Sequence, residues 1–290
     1  MILTKADKYM VEMIHRIQEQ GYKDINPRPK YADGTPAHTI SVNHTFRSYD
    51  LSKGEFPICT LRPIAWKTGI KEIFTIYQQP TNDIAKMREM GVTWWDEWDI
   101  GNGTIGQRYG ATVSRYDLIN NLIKDIENDP YGRRKIVSLW QEQDLHETAG
   151  LAPCAFLTIW NVRGEYLDMM LVQRSGDMLT ASGPGGINEV QYAALLMMIA
   201  AHTGYKPGVF SHVVANEQIY DRHFEAADEM LKRANLDIYE KHSDIVIRGF
   251  IPQLILDTSR TLNFYEFTIE DFIMFAYKPQ MPQLKLELGI

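Results

Sequence analysis

At the head of the chain apolar positions recur with a helical period. Ile2, Leu3, Met10, Val11, Ile14 and Ile17 are interleaved with Lys5, Asp7, Lys8, Glu12 and Arg16, which predicts an amphipathic helix over 3–20 closed by Gly21. Residues 22–39, rich in Pro, Gly, Asp and Lys, read as a loop, and 40–60 as strands around a turn at Ser52-Lys53-Gly54. Ile64, Trp66, Ile70, Ile73, Phe74 and Tyr77 mark one face of a helix over 64–77. A helix near 82–90 precedes the aromatic stretch Trp94-Trp95-Asp96-Glu97-Trp98 and a glycine-rich loop to Gly110. A helix over 115–128 stops at Asn128-Asp129-Pro130. Short runs rich in β-branched and aromatic residues predict strands at 135–140, 154–162 and 166–173. A helix over 188–203 ends at Gly204, followed by a strand near 209–215 and a helix over 217–234. The remainder reads as short strands with one helix at 268–275.

The elements follow no regular βαβ period, and neither a repeat nor a long linker divides the chain. The pattern therefore predicts an α+β fold, one domain over 1–290 with a mixed sheet flanked by helices. Composition changes little: 44% hydrophobic and 23% charged residues are those of an ordinary soluble domain. The opening stretch is neither a signal peptide nor a membrane span, and no apolar run approaches bilayer length, so a cytoplasmic protein is expected.

Charge and cysteine content narrow the chemistry further. A net charge of −7 argues against a dedicated nucleic-acid surface, while leaving room for a small anion held by local arginines. No His/Cys cluster has metal-ligand spacing, so no metal is expected. Two cysteines are too few for a disulfide framework. Cys59, in the apolar run Phe56-Pro57-Ile58-Cys59-Thr60, reads as a small buried hydrophobe. Cys154 follows Pro153 at the mouth of a strand, where it is either a structural thiol or a nucleophile. Only a thiolate-stabilising environment distinguishes the two.

Three groups of residues carry candidate chemistry. Arg133-Arg134, in the turn Tyr131-Gly132-Arg133-Arg134, joins Arg28 and Arg174 as guanidinium forks that suit a phosphomonoester or are merely solvated charge. Gln173-Arg174-Ser175-Gly176-Asp177 runs into the loop Ser182-Gly183-Pro184-Gly185-Gly186, a close backbone approach to a ligand or an ordinary turn. Trp95 and Trp98, upstream of Tyr109, can stack a planar molecule or pack the core.

Together these segments resemble thymidylate synthase over nearly the whole chain. Asp33-Gly34-Thr35-Pro36-Ala37-His38-Thr39 resembles the segment after the family's phosphate-binding arginine, here Arg28. Ala65-Trp66-Lys67-Thr68-Gly69-Ile70-Lys71-Glu72 resembles the helix with its catalytic glutamate, here Glu72. Trp95-Asp96-Glu97-Trp98 with Tyr109-Gly110 is similar to its folate-side aromatics and catalytic tyrosine, and Pro153-Cys154 to its nucleophile motif. Gln173-Arg174-Ser175-Gly176-Asp177 is similar to its Gln-Arg-Ser-x-Asp signature, in which Arg174 and Ser175 would hold phosphate and Asp177 the pterin. Arg133 and Arg134 would serve the partner's phosphate site in a homodimer, Asn188 would read the pyrimidine, and Trp95 and the terminal Ile290 would exclude water.

The resemblance implies that Cys154 adds to C6 of dUMP, helped by Arg174, with Glu72 moving protons around the uracil carbonyl and Tyr109 assisting loss of the C5 proton. The cosubstrate would be 5,10-methylenetetrahydrofolate, a reduced folate giving both carbon and hydride. The alternative is a dUMP or dCMP hydroxymethylase, in which water quenches the same methylene. Gln218 stands where the family has a sugar-binding histidine, two residues before Tyr220, and Ala155 follows the cysteine where many members carry histidine. The loop between Asp177 and Asn188 is longer than usual. A shift of one position would place Glu189 instead of Asn188 at the base, favouring the cytosine amine.

Overall fold

The computed structural model describes residues 3–235 and 251–290; Ile2 and the stretch 236–250, within the region expected to hold short strands, lie outside the described residues. Its strands are β1 (Tyr22–Lys23), β2 (Thr39–Asp50), β3 (Ile136–Ser138), β4 (Ala155–Arg163), β5 (Tyr166–Gln173), β6 (Gly176–Asp177), β7 (Lys206–Tyr220), β8 (Gln253–Leu256) and β9 (Phe272–Phe275). Its helices are α1 (Lys5–Gln20), α2 (Trp66–Ile73), α3 (Ile84–Glu89), α4 (Gly110–Arg115), α5 (Leu118–Asn128), α6 (Glu142–Glu147), α7 (Ile187–His202) and α8 (Phe224–Ala234).

The main sheet runs β1-β2-β7-β5-β4-β3, with β6 paired to β7 beside it. β7 is antiparallel to β2 but parallel to β5 and β6, so the sheet is mixed as expected. α7 is apolar on almost every side, from Val190 to Ala200, as a helix enclosed by protein must be. α1 begins with a capping box between Thr4 and Asp7 and ends at Gly21.

Several boundaries depart from expectation. Residues 55–60 are irregular, not a strand, because outside groups take their backbone donors: Asp7 binds the Thr60 N–H at 2.7 Å and Gly185 O the Cys59 N–H at 2.9 Å. Cys59 is buried there as anticipated. The helix expected over 64–77 relaxes into a π-helical turn at Phe74–Gln78, and the one over 115–128 breaks at Asp117, where φ is 49°. β7 is about twice the expected length and absorbs residues 217–220, ahead of a helix that starts only at Phe224 instead of at 217. Residues 268–275 carry a genuine capping box, Thr268 with Asp271, but it caps a single 3-10 turn, after which Phe272–Phe275 pairs with β8.

The two faces of the main sheet differ. Thr45, Arg47, Tyr49, His212, Val214 and Glu217 point inward, and the charged ones form a sealed cluster. The Arg47 Nε donates to Glu189 at 2.6 Å and its Nη1 to Glu217 at 2.7 Å, while its Nη2 meets Ser182 O at 3.0 Å and His212 Nδ1 at 3.1 Å. Tyr49 and the Gly185 N–H complete the Glu189 carboxylate, each at 2.7 Å. The opposite face carries Phe46, Ile136, Leu157, Ile159, Met170, Val172 and Val213 in register, none of them buried.

Removing one member of such a cluster strands the others in a dry interior. Arg47→Met should therefore cost roughly 3–5 kcal/mol in urea unfolding. Burial by itself raises the Glu189 pKa, but the Arg47 charge, His212 and the Gly185 N–H hold it down, from 4.5 to about 2. A carboxyl depressed in the folded state stabilises above its unfolded pKa, so this contribution is complete above pH 4.5 and is lost as pH falls toward 2. Acid titration followed by circular dichroism should show that loss.

Candidate active site

A cleft of about 510 Å³ opens between Arg28, the segment Glu97–Ile100, the segment Gly150–Ala152 and Arg174. Its floor is set where β4 begins. Pro153 ends the preceding irregular segment and leaves Cys154 just ahead of the first paired residue, Ala155 opposite Gln173. Arg174, the residue after β5, therefore lies beside it. The guanidinium donates to Pro153 O at 3.0 Å and Ala152 O at 2.8 Å, and its Nη2 stands 3.5 Å from Cys154 Sγ.

Burial pushes the Cys154 thiol up, against the pull of Arg174 and Arg28. The expected lowering by Arg174 is thus present but does not prevail, because desolvation of the thiolate outweighs two cations that also face solvent.

Behind the thiol lies a compact polar group. Tyr109 is buried, with φ 49°, and its hydroxyl accepts from the Cys154 backbone N–H. Burial, then the nearby Cys154 charge, raises the Tyr109 pKa well above that of a free phenol. Its ring meets Trp95 edge-on at 4.8 Å. The Trp95 and Trp94 indoles both donate to Glu72 Oε1, at 2.5 and 2.9 Å, and Gln191 donates to Oε2. Burial raises the Glu72 pKa while these three N–H groups oppose the rise. Gln191 Oε1 accepts at 3.0 Å from Asn188, which is half-buried in the first turn of α7. Glu189, next to it, points into the core and is wholly engaged by Arg47, Tyr49, His212 and Gly185.

Cys154, Tyr109, Trp95, Glu72 and Asn188 thus form one connected group, with Arg174 and Arg28 at its mouth and Trp98 lining the cleft. Asp177 pairs in β6 opposite Gln218, and its carboxylate is spanned by Thr180. Burial raises the Asp177 pKa. Tyr220 ends β7 against Tyr31, and the Ile290 backbone pairs with Lys30 at 2.8 and 2.9 Å, bringing the tail beside Arg28. Ser175 lies between Arg174 and β6, its carbonyl 2.9 Å from Gln173 Nε2. Arg133 and Arg134 are exposed on the approach to β3 and do not line the cleft.

Sequence reasoning missed Arg47, Glu217 and His212 as members of the site's support. For His212 the available signal was parity, since it alternates in phase with Phe210 and Val214, whereas Glu217 falls on the other parity beyond a break in the alternation of β7. Trp94 was likewise not singled out. Among the described residues no group of three His, Cys, Asp or Glu side chains is placed to hold a metal ion, and no helix is long and apolar enough to cross a membrane.

Cys154, not Cys59, should react with iodoacetamide, at a rate rising with pH beyond the ordinary thiol range. Arg174→Gln should slow that reaction at neutral pH severalfold, because the thiolate loses its nearest cation.

Comparison with known proteins agrees with this geometry. The family model for thymidylate synthase matches residues 8–290. A thymidylate synthase of Streptococcus suis is 45% identical over 294 residues, covering 99% of this chain and 100% of the relative. One from Lactococcus lactis subsp. lactis is 46% identical over the same shares. The solved thermostable thymidylate synthase A from Bacillus subtilis matches with a TM-score of 0.85 at 32% identity, covering 98% of this chain and 99% of that one.

Proposed function

This chain belongs to the thymidylate synthase family, and from that premise we propose that Cys154 is its nucleophile within one catalytic domain spanning residues 1–290. The reaction is methylation of dUMP to dTMP. The cosubstrate, 5,10-methylenetetrahydrofolate, supplies both the carbon and the hydride.

Cys154 loses its proton and bonds through Sγ to C6 of the uracil, moving the C5–C6 electron pair toward C5 and O4. The charge that develops at O4 falls near Asn188 and Glu72, whose side chains Gln191 joins. Once C5 has taken the new carbon, Tyr109 assists removal of the C5 proton through water. Loss of that proton breaks the bond between the new carbon and the folate nitrogen, hydride from the folate converts the resulting methylene to methyl, and the Sγ–C6 bond then breaks as the C5–C6 double bond is restored. Arg28, Arg174 and Ser175 bind the phosphate. Gln218 and Tyr220 serve the sugar. Trp95, Trp98, Asp177 and the Ile290 end face the folate and exclude water. The cleft suits such a cosubstrate, with Trp98 and Ile100 offering an apolar wall beside the two arginines.

The observation that carries the reading is the unbroken set of contacts from Arg174 through Cys154 and Tyr109 to Trp95 and Glu72. Preference for uracil is supported by Glu189, whose carboxylate is consumed by the core, leaving Asn188 at the open end of α7. A dCMP hydroxymethylase is disfavoured on the same grounds, and a dUMP hydroxymethylase by the full-length likeness to thymidylate synthases. With dUMP and methylenetetrahydrofolate, mass spectrometry should detect dTMP and dihydrofolate, and dCMP should give no methylated or hydroxymethylated product. A hydroxymethyl nucleotide with tetrahydrofolate would refute the assignment.

A homodimer is supported by the uncovered apolar sheet face, on which Phe46 is 60% and Ile136 53% exposed. Closing two such faces by a twofold axis buries both, and it lets Arg133 and Arg134, just before β3, reach the other subunit's phosphate. Mixing inactive Arg133→Ala and Cys154→Ala proteins should recover about a quarter of wild-type activity by statistical pairing. No recovery would exclude shared sites. A cytoplasmic location is supported by the two free thiols.

A further inference from the structure

The sealed cluster under the sheet is joined to the reaction site by a hydrogen-bond chain of fixed direction. Arg47 can only donate, so His212 Nδ1, 3.1 Å from its Nη2, is placed to accept. The proton of a neutral imidazole then sits on Nε2, which faces Gln173 Oε1 at 3.1 Å. Glu189 Oε1, 3.0 Å from Nδ1, favours a second proton there, and a doubly protonated ring also donates from Nε2. Only a neutral ring protonated on Nδ1 would reverse the direction, and it would set two N–H groups against each other at Arg47.

With its oxygen occupied, Gln173 turns its amide nitrogen to Ser182 Oγ at 2.7 Å and Ser175 O at 2.9 Å. The Ser182 hydroxyl passes its own hydrogen to Asn188 Oδ1 at 2.9 Å. Asn188 Nδ2 donates to Gln191 Oε1, and Gln191 Nε2 to Glu72 and to Gly69 O. The chain thus runs from a donor-only guanidinium to a carboxylate that receives three N–H groups. Gln173, Ser182, Gln191 and His212 are buried, whereas Asn188 is half-buried: it keeps an N–H for a ligand, and its second Oδ1 lone pair meets only a long 3.4 Å approach from Gln173 Nε2.

We propose that His212 is a positioning residue for base recognition: its Nε2–H sets the polarity of the Gln173–Ser182–Asn188–Gln191 chain, so that Asn188 offers an acceptor to N3–H and a donor to O4 of uracil. Cytosine presents the opposite pair, an acceptor at N3 and an amino donor, and a reversed Asn188 amide would suit it. The proposal rests on Asn188 as the base-reading residue. It places the origin of the uracil preference about three side chains deeper than the contact itself.

The test combines three measurements. Calorimetry of dUMP and dCMP binding to wild type, His212→Phe and His212→Gln reads discrimination without requiring turnover. His212→Phe removes the donor and should lower the dUMP-to-dCMP affinity ratio by about tenfold or more. His212→Gln can accept from Arg47 and donate to Gln173, and should restore the ratio. A folded His212→Phe protein with wild-type discrimination would overturn the proposal. Nitrogen-15 NMR of the wild-type His212 ring, independent of how the variants fold, should find hydrogen on Nε2; a ring protonated only on Nδ1 would also overturn it. Failure of the wild type to make dTMP would instead sink the functional reading, leaving the binding ratio and tautomer to judge His212.

Discussion

A guanidinium closed off from water is the constraint on which the rest of this structure depends. Arg47 stands on β2 with 1% exposure, and its cost of burial is met only if every acceptor around it is present and aligned. Those acceptors come from β7, from the start of α7 and from the loop before it. A single side chain therefore fixes strand register, helix entry and loop path together. Asn188 is the neighbour of Glu189, so the geometry that neutralises the core cation also decides where the Asn188 amide stands. The loop after Asp177 is drawn into the same arrangement. Gly185, at φ 65°, binds Glu189 through its N–H and Cys59 through its carbonyl, and a Cβ there would lie 2.3 Å from the Cys59 nitrogen.

The second organising group is Glu72 with its two indoles. Trp94 and Trp95 follow α3 in a segment with little regular structure of its own, yet both point their N–H groups at one carboxylate oxygen of α2. That convergence turns an irregular aromatic stretch into a rigid wall and sets Trp95 against Tyr109. Positioning here comes from hydrogen bonds made by otherwise apolar side chains, which hold one buried ionisable group in place with few polar neighbours.

How far the chain could be read in advance follows from where each element finds its partners. α1, α7, β4 and β5 carry their own period and were legible. β7 was under-read because Glu217, Gln218, Asp221 and Arg222 look like the polar face of the following helix, whereas Glu217 is held by Arg47 and Thr45. The helix expected at 268–275 had a true start signal, but one that caps only a single turn. Among the site residues, Cys154, Glu72, Tyr109, Arg174 and Asn188 were legible as ordered motifs, and the structure brings these five together. Arg133 and Arg134 stay outside the cleft. Apart from the parity of His212, the Arg47 cluster was not legible. The partners of Arg47 lie 135 to 170 residues from it, so no local pattern announces the pairing.

That same separation has a consequence for how the chain comes into being. β2 is complete by Asp50, but the strand along which it pairs, β7, begins only at Lys206, and β1 covers just two of its residues. During synthesis, one long edge with an arginine on its inward face must wait for some 150 residues to be made. β3, β4 and β5 can pair among themselves as they are made, but β2 joins them only through β7. Slow, late collapse and a need for shelter from edge-to-edge association are thus written into the strand order.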